Sequence, residues 1–88
     1  MPNFTGTVKT VTGGNTEKEG ARKDFGFITL RTIDYSPSGD RSLALPPADV
    51  FVHASKIHGR SSVWDGMRLQ FDWVSSPKGP KVSEAIVI

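Results

Sequence analysis

Two short segments hold the residues best placed to do chemistry: Asp24-Phe25-Gly26-Phe27-Ile28 and Val50-Phe51-Val52-His53. Both read as strands, whose successive side chains point to opposite faces. Over 25–30, one face takes Phe25, Phe27 and Thr29, and the other takes Gly26, Ile28 and Leu30. Over 50–54, Val50, Val52 and Ala54 share a face, and Phe51 and His53 share its reverse. A small barrel buries only one face of each strand. Burying the aliphatic faces leaves three phenyl rings and an imidazole together in water. Exposed apolar clusters of that kind mark binding surfaces. The chemistry on offer is stacking, because every nucleobase has a flat face that a ring can cover. Turning Phe25 and Phe27 inward would expose Ile28 and Leu30 instead, and burying Phe51 would expose Val50 and Val52. His53 has a second use open to it, as a hydrogen-bonding cap.

The elements that must hold these rings are short. Strand patterns run over 4–12, 25–31, 50–54, 67–74 and 81–88. In the fourth, Met67, Leu69, Phe71 and Trp73 alternate with Arg68, Gln70 and Asp72. Gly13-Gly14-Asn15-Thr16 and Ser75-Ser76-Pro77-Lys78-Gly79-Pro80 are turn signals. The stretch 34–47 holds Ser36-Pro37-Ser38-Gly39-Asp40 and Pro46-Pro47, which predicts a long loop with brief pairing at most over 42–45. One short helical turn is expected near 54–57, and 17–23 is too short and too broken by Gly20 for a stable helix. Five short strands without a convincing helix predict an all-β fold, a five-stranded antiparallel barrel of the OB type, in which closure removes exposed edges. The expected core is Val8, Ile28, Leu30, Val50, Val52, Ile57, Val63, Leu69, Phe71, Trp73 and Ala85.

Composition narrows the function. The 88 residues make one domain, 1–88. A formal net charge of +2 permits nucleic-acid contact through a local patch without demanding it. There is no cysteine, so disulfides and cysteine metal sites are excluded. His53 and His58 lack carboxylate or cysteine neighbours at ligand spacing, so neither a metal nor another cofactor is expected. No apolar run approaches the ~18 residues of a membrane span. Met1-Pro2-Asn3-Phe4 has no basic stretch followed by an apolar one, so a secretory signal is not expected and the cytoplasm is the default. The acidic residues are scattered, with no serine triad signature, and an enzyme is not expected.

Taken in order, Gly6-Thr7-Val8-Lys9, Lys23-Asp24-Phe25-Gly26-Phe27-Ile28, Val50-Phe51-Val52-His53, Ser55-Lys56-Ile57 and Lys78-Gly79-Pro80 resemble the cold-shock domain family over nearly the whole chain. The second and third pieces are similar to its two ribonucleoprotein motifs, with Asp24 where a glycine is usual. The resemblance implies an OB-type barrel that binds single-stranded nucleic acid and acts as an RNA chaperone. The chain also departs from the pattern. Thr10 and Val11 stand where a tryptophan and a phenylalanine are usual, and Ala54 where an aromatic follows the histidine. The loops 12–24 and 32–49 are long.

The expected nucleic-acid-binding residues are Lys9, Lys23, Phe25, Phe27, Phe51, His53, Lys56, Arg60, Trp64 and Lys78. Arg22 and Arg31 also flank the first motif, and Tyr35 is a further ring in the long loop. The expected partner is single-stranded RNA or DNA, bound by a monomer. The competing reading is a protein-interaction adaptor in transcription or translation, with a partly lost nucleic-acid face and its partner held by the long loops.

Overall fold

A computed structural model describes residues 2–9, 24–60 and 62–88. Among these residues six strands form: β1 (Phe4–Lys9), β2 (Phe25–Ile28), β3 (Asp34–Tyr35), β4 (Val50–His53), β5 (Arg68–Ser76) and β6 (Gly79–Val87), with 3₁₀ turns at Leu30–Thr32 and Ala54–Lys56. Five of them close a barrel in the order β1-β2-β4-β6-β5, because β1 pairs with β5 along its first part and with β2 at Val8 and Lys9. The expected closed OB-type barrel is present, but it is mixed rather than antiparallel: β4 runs parallel to β6. The two-residue β3 sits outside the ring, paired with Phe4 and Thr5 of β1. Among the described residues, no helix is long and apolar enough to cross a membrane.

Alternation sets what lies inside. Phe4, Gly6 and Val8 of β1, Gly26 and Ile28 of β2, and Val50 and Val52 of β4 are buried. They meet Leu69 and Phe71 of β5 and Val82 and Ala85 of β6. Full burial of one such side chain stabilises by about 1.5–3 kcal/mol. Gly6 is required where β1 crosses the barrel, since a Cβ there would collide with Ile28 Cγ2. Phe4, Ala54, Met67 and Val82 belong to this core as well, beyond the residues expected from sequence.

Two expected core residues are corrected. Leu30 is exposed, because the chain leaves β2 at Ile28 and turns: the Thr32 and Ile33 N–H groups bond the Thr29 and Leu30 carbonyls, and the Thr32 hydroxyl donates to Thr29 as well. A turn breaks the period of two, so strand parity no longer applies at residue 30. Trp73 is only partly buried and packs against the edge of the core. A register shift between Asp72 and Trp73 interrupts the alternation of β5. Asp72 is held at that point by the N–H and side-chain amide of Asn3, at 3.0 and 2.9 Å.

The loop from Ser36 to Asp49 lies against the barrel instead of hanging free. Ser36 is buried, its hydroxyl donating to the Pro2 carbonyl, and its N–H bonds the Asn3 carbonyl. The Tyr35 hydroxyl donates to the Leu43 carbonyl at 2.7 Å, Trp73 Nε1 donates to that of Ala44 at 3.3 Å, and Arg41 lies over the Tyr35 ring. Residues 42–45 make no strand.

Candidate nucleic-acid interface

The site is built by register. β2 and β4 pair Phe25 with His53, Gly26 with Val52, Phe27 with Phe51 and Ile28 with Val50. Each pair shares a face, so the aliphatic pairs go inward and the ring pairs outward. β1 adds Lys9 beside Phe27, and β6 adds Lys81 beside Phe51. A single row therefore crosses four strands: Lys9, Phe27, Phe51, Lys81.

The rings hold one another. The Phe51 centroid lies 5.7 Å from that of Phe25 and 5.6 Å from that of Phe27, the second pair edge-to-face at 71°. Ring pairs at such separations gain about 0.5–1.5 kcal/mol beyond burial. Phe25 stays 44% exposed, while Phe27 and Phe51 are half-buried by leaning together.

His53 is a cap, and its ring stays exposed. Its Nδ1 accepts the Ser55 N–H at 3.1 Å and lies 2.9 Å from the Ser55 hydroxyl, which caps the 3₁₀ turn Ala54–Lys56. Accepting at Nδ1 puts the proton of the neutral ring on Nε2. The exposed ring lies opposite Phe25. Ala54, at the next position, is buried in the core.

Two concavities flank Phe27. One, of about 560 Å³, lies between Phe27, Phe51 and the tip of the β5–β6 hairpin, from Ser76 to Lys81. The hairpin turns through Pro77-Lys78, and Gly79 follows at φ +120°, a conformation suited to glycine. The other, of about 580 Å³, is walled by Leu30, Pro47, Ala48 and Asp49. Asp49 is fixed there because its Oδ1 accepts the Leu30 N–H at 2.8 Å.

Of the expected residues, Lys9, Phe25, Phe27, Phe51 and His53 fall on one face, and Lys78 lines the hairpin side of the groove. Lys56 is exposed in the turn that His53 caps. Trp64 is exposed in the turn before β5, where the Gly66 N–H bonds the carbonyl of Val8, the neighbour of Lys9. Arg60 lies past the Ile57–Ala85 bridge, further along β6 than Lys81, and the register does not bring it to the ring row. Tyr35 packs on Phe4, away from the platform. Lys23, Arg22, Thr10, Val11 and the loop 12–24 lie outside the described residues, save Asp24 at its end.

Compared with known proteins, the chain matches no family model and no curated protein.

The site is therefore read from its geometry. Lys81 is the residue that sequence reasoning missed. Its signal was the alternation through Pro80, Lys81 and Val82, buried-exposed-buried in the fold. What sequence did not supply was the strand it would lie beside.

Proposed function

We propose that this chain binds single-stranded RNA or DNA by stacking bases on Phe25, Phe27 and Phe51, as a non-enzymatic module of the cold-shock kind working in the cytoplasm. The observation that carries this reading is the row Lys9, Phe27, Phe51, Lys81: two rings flanked by two cations on one outward face. Stacking on a ring contributes about 1–3 kcal/mol per base and tolerates any base, so it favours unpaired strands of mixed sequence. The lysines meet phosphates, which carry no sequence information. Binding only the unpaired form shifts a weak duplex or hairpin toward opening, by mass action and without an energy source. That is the physical content of an RNA chaperone.

The test is fluorescence anisotropy with labelled oligo-dT and oligo-U at low and moderate salt. Binding that weakens with salt, and that falls in Phe25→Ala and Phe27→Ala while both variants stay folded at the assay temperature, is the expected result. A second measurement uses the two tryptophans. In a Trp73→Phe background only Trp64 reports, and oligo-dT should quench it if the ligand extends over the turn before β5.

A protein-adaptor role has one observation in its favour. Leu43, Leu45 and Val74 are exposed near the half-buried Trp73, and Leu43, Val74 and Trp73 line a concavity of about 410 Å³ that also takes in Ala44 and Ser83. No oligonucleotide binding below a Kd of about 100 μM at low salt would move the assignment to that surface.

A further inference from the structure

Lys81 stands at a position that neither the ring pattern nor the two motifs designate. Pro80 and Val82 on either side are buried, so Lys81 is the outward residue at this point of β6. Its partner across the parallel pairing is Phe51, the ring that touches both other phenyls. With Lys78 it lines the groove that Phe27 and Phe51 floor. Among the described residues, no carboxylate pairs with Lys81 within 4.0 Å; Glu84, further along β6, faces His58 instead. Lys9 holds the opposite end of the row. Three strand spacings of about 4.8 Å separate the two lysines, or roughly 14 Å.

We propose that Lys81 is a phosphate anchor, pairing with Lys9 to grip the backbone of a single strand on both sides of the two bases seated on Phe27 and Phe51. The inference rests on the nucleic-acid reading and extends its site onto the β5–β6 hairpin. An ammonium group suits this role, being a compact point charge on a flexible stem that meets a phosphate oxygen without selecting a base. The anchor changes the character of the interaction. Each phosphate contact with a single strand adds about 0.7 to the slope of log K against log salt. A chain with Thr10, Val11 and Ala54 in place of rings thus draws more of its affinity from charge, and loses more of it in salt.

The experiment is anisotropy with labelled dT6 from 50 to 500 mM salt, on the wild type, Lys81→Gln, Lys81→Arg, Arg41→Gln and Phe51→Ala. Lys81→Gln should lower the slope by about 0.7 and weaken binding at 50 mM salt by about eightfold. Lys81→Arg should keep the slope. Arg41→Gln, which removes the same net charge from an exposed position over the Tyr35 ring, on the side away from the row, should leave the slope unchanged. An unchanged slope in Lys81→Gln, with binding still lost in Phe51→Ala, overturns the anchor and leaves the nucleic-acid reading standing. Equal falls in Lys81→Gln and Arg41→Gln also overturn it, because the effect is then one of overall charge. Failure of the wild type to bind at 50 mM overturns both.

Discussion

The molecule has two aromatic regions, and they are built on opposite principles. On one side Phe4, Tyr35, Phe71 and Trp73 lie in or against the core, and the polar ends of Tyr35 and Trp73 each donate to a carbonyl of the loop that covers them. On the other side Phe25, Phe27 and Phe51 touch mainly one another and face outward, with lysines at both ends of their row. Residue type is the same in both regions. What differs is strand parity, and with it whether a ring is buried in the core or faces outward.

The sharpest way to break this contrast is to truncate one ring from each side. Phe71→Ala should lower stability by about 3–5 kcal/mol, read from the urea midpoint, because the ring is fully buried. Phe51→Ala should cost less stability, about 1–3 kcal/mol from its two lost ring-pair contacts, and also about 1–3 kcal/mol in oligonucleotide affinity. Equal stability losses would erase the distinction between the two regions. A smaller effect is expected at Gly6→Ala. The added methyl collides with Ile28 beneath the platform, and overpacking of that kind costs about 1–3 kcal/mol. Since Ile28 lies behind Phe27 on β2, the same variant should also disturb binding, which Phe71→Ala tested under fully folded conditions should not.

Asn3→Ala probes the covered side alone. The Asn3 amide donates to Asp72 and its oxygen accepts the Asp40 N–H, both at 2.9 Å. Losing the two bonds should cost about 1–2 kcal/mol and leave dT6 affinity unchanged. The smallest effect belongs to acid. The side-chain and backbone donors of Ser42 hold the Asp40 carboxyl below its ordinary value of 3.8. A depressed folded-state pKa gives stability that is complete above the unfolded value and fades as pH falls through the folded one. The loop around Asp40 should therefore loosen only below about pH 4, which amide exchange near Ser42 would register; loosening at about pH 5 would contradict it.

How much of this was legible in the chain depends on the range of the contact that decides it. The parity of Phe25 against Ile28, and of Phe51 against Val52, follows from neighbours in sequence, and it places the rings outside. Both expectations hold in the fold. Parity fails where the backbone changes its own rules: at Leu30, where a 3₁₀ turn begins, and at Trp73, where a register shift intervenes. Neither turn nor shift leaves a mark in the hydrophobic pattern, since each is held by a side chain (Thr32, Asp72) bonding a distant or non-helical backbone group. Composition marks 34–47 as a loop but not where it lies. Its docking depends on Pro2 and Asn3, more than thirty residues away, which composition cannot convey. Lys81 is the same case within the site, because only closure of the barrel makes it the neighbour of Phe51.

That closure has a consequence for how the protein is made. The β4–β6 pairing is parallel, so no local hairpin can form it, and contacts between such distant segments are slow to assemble. During synthesis β2 and β4 can meet early, but the outer lysine arrives only with the final strand. A partly made chain thus presents the rings without Lys81 beside them, and the four-residue row is complete only once β6 has paired with β4. An oligonucleotide added to the finished protein should accordingly raise its melting temperature, rewarding only molecules that have closed the ring.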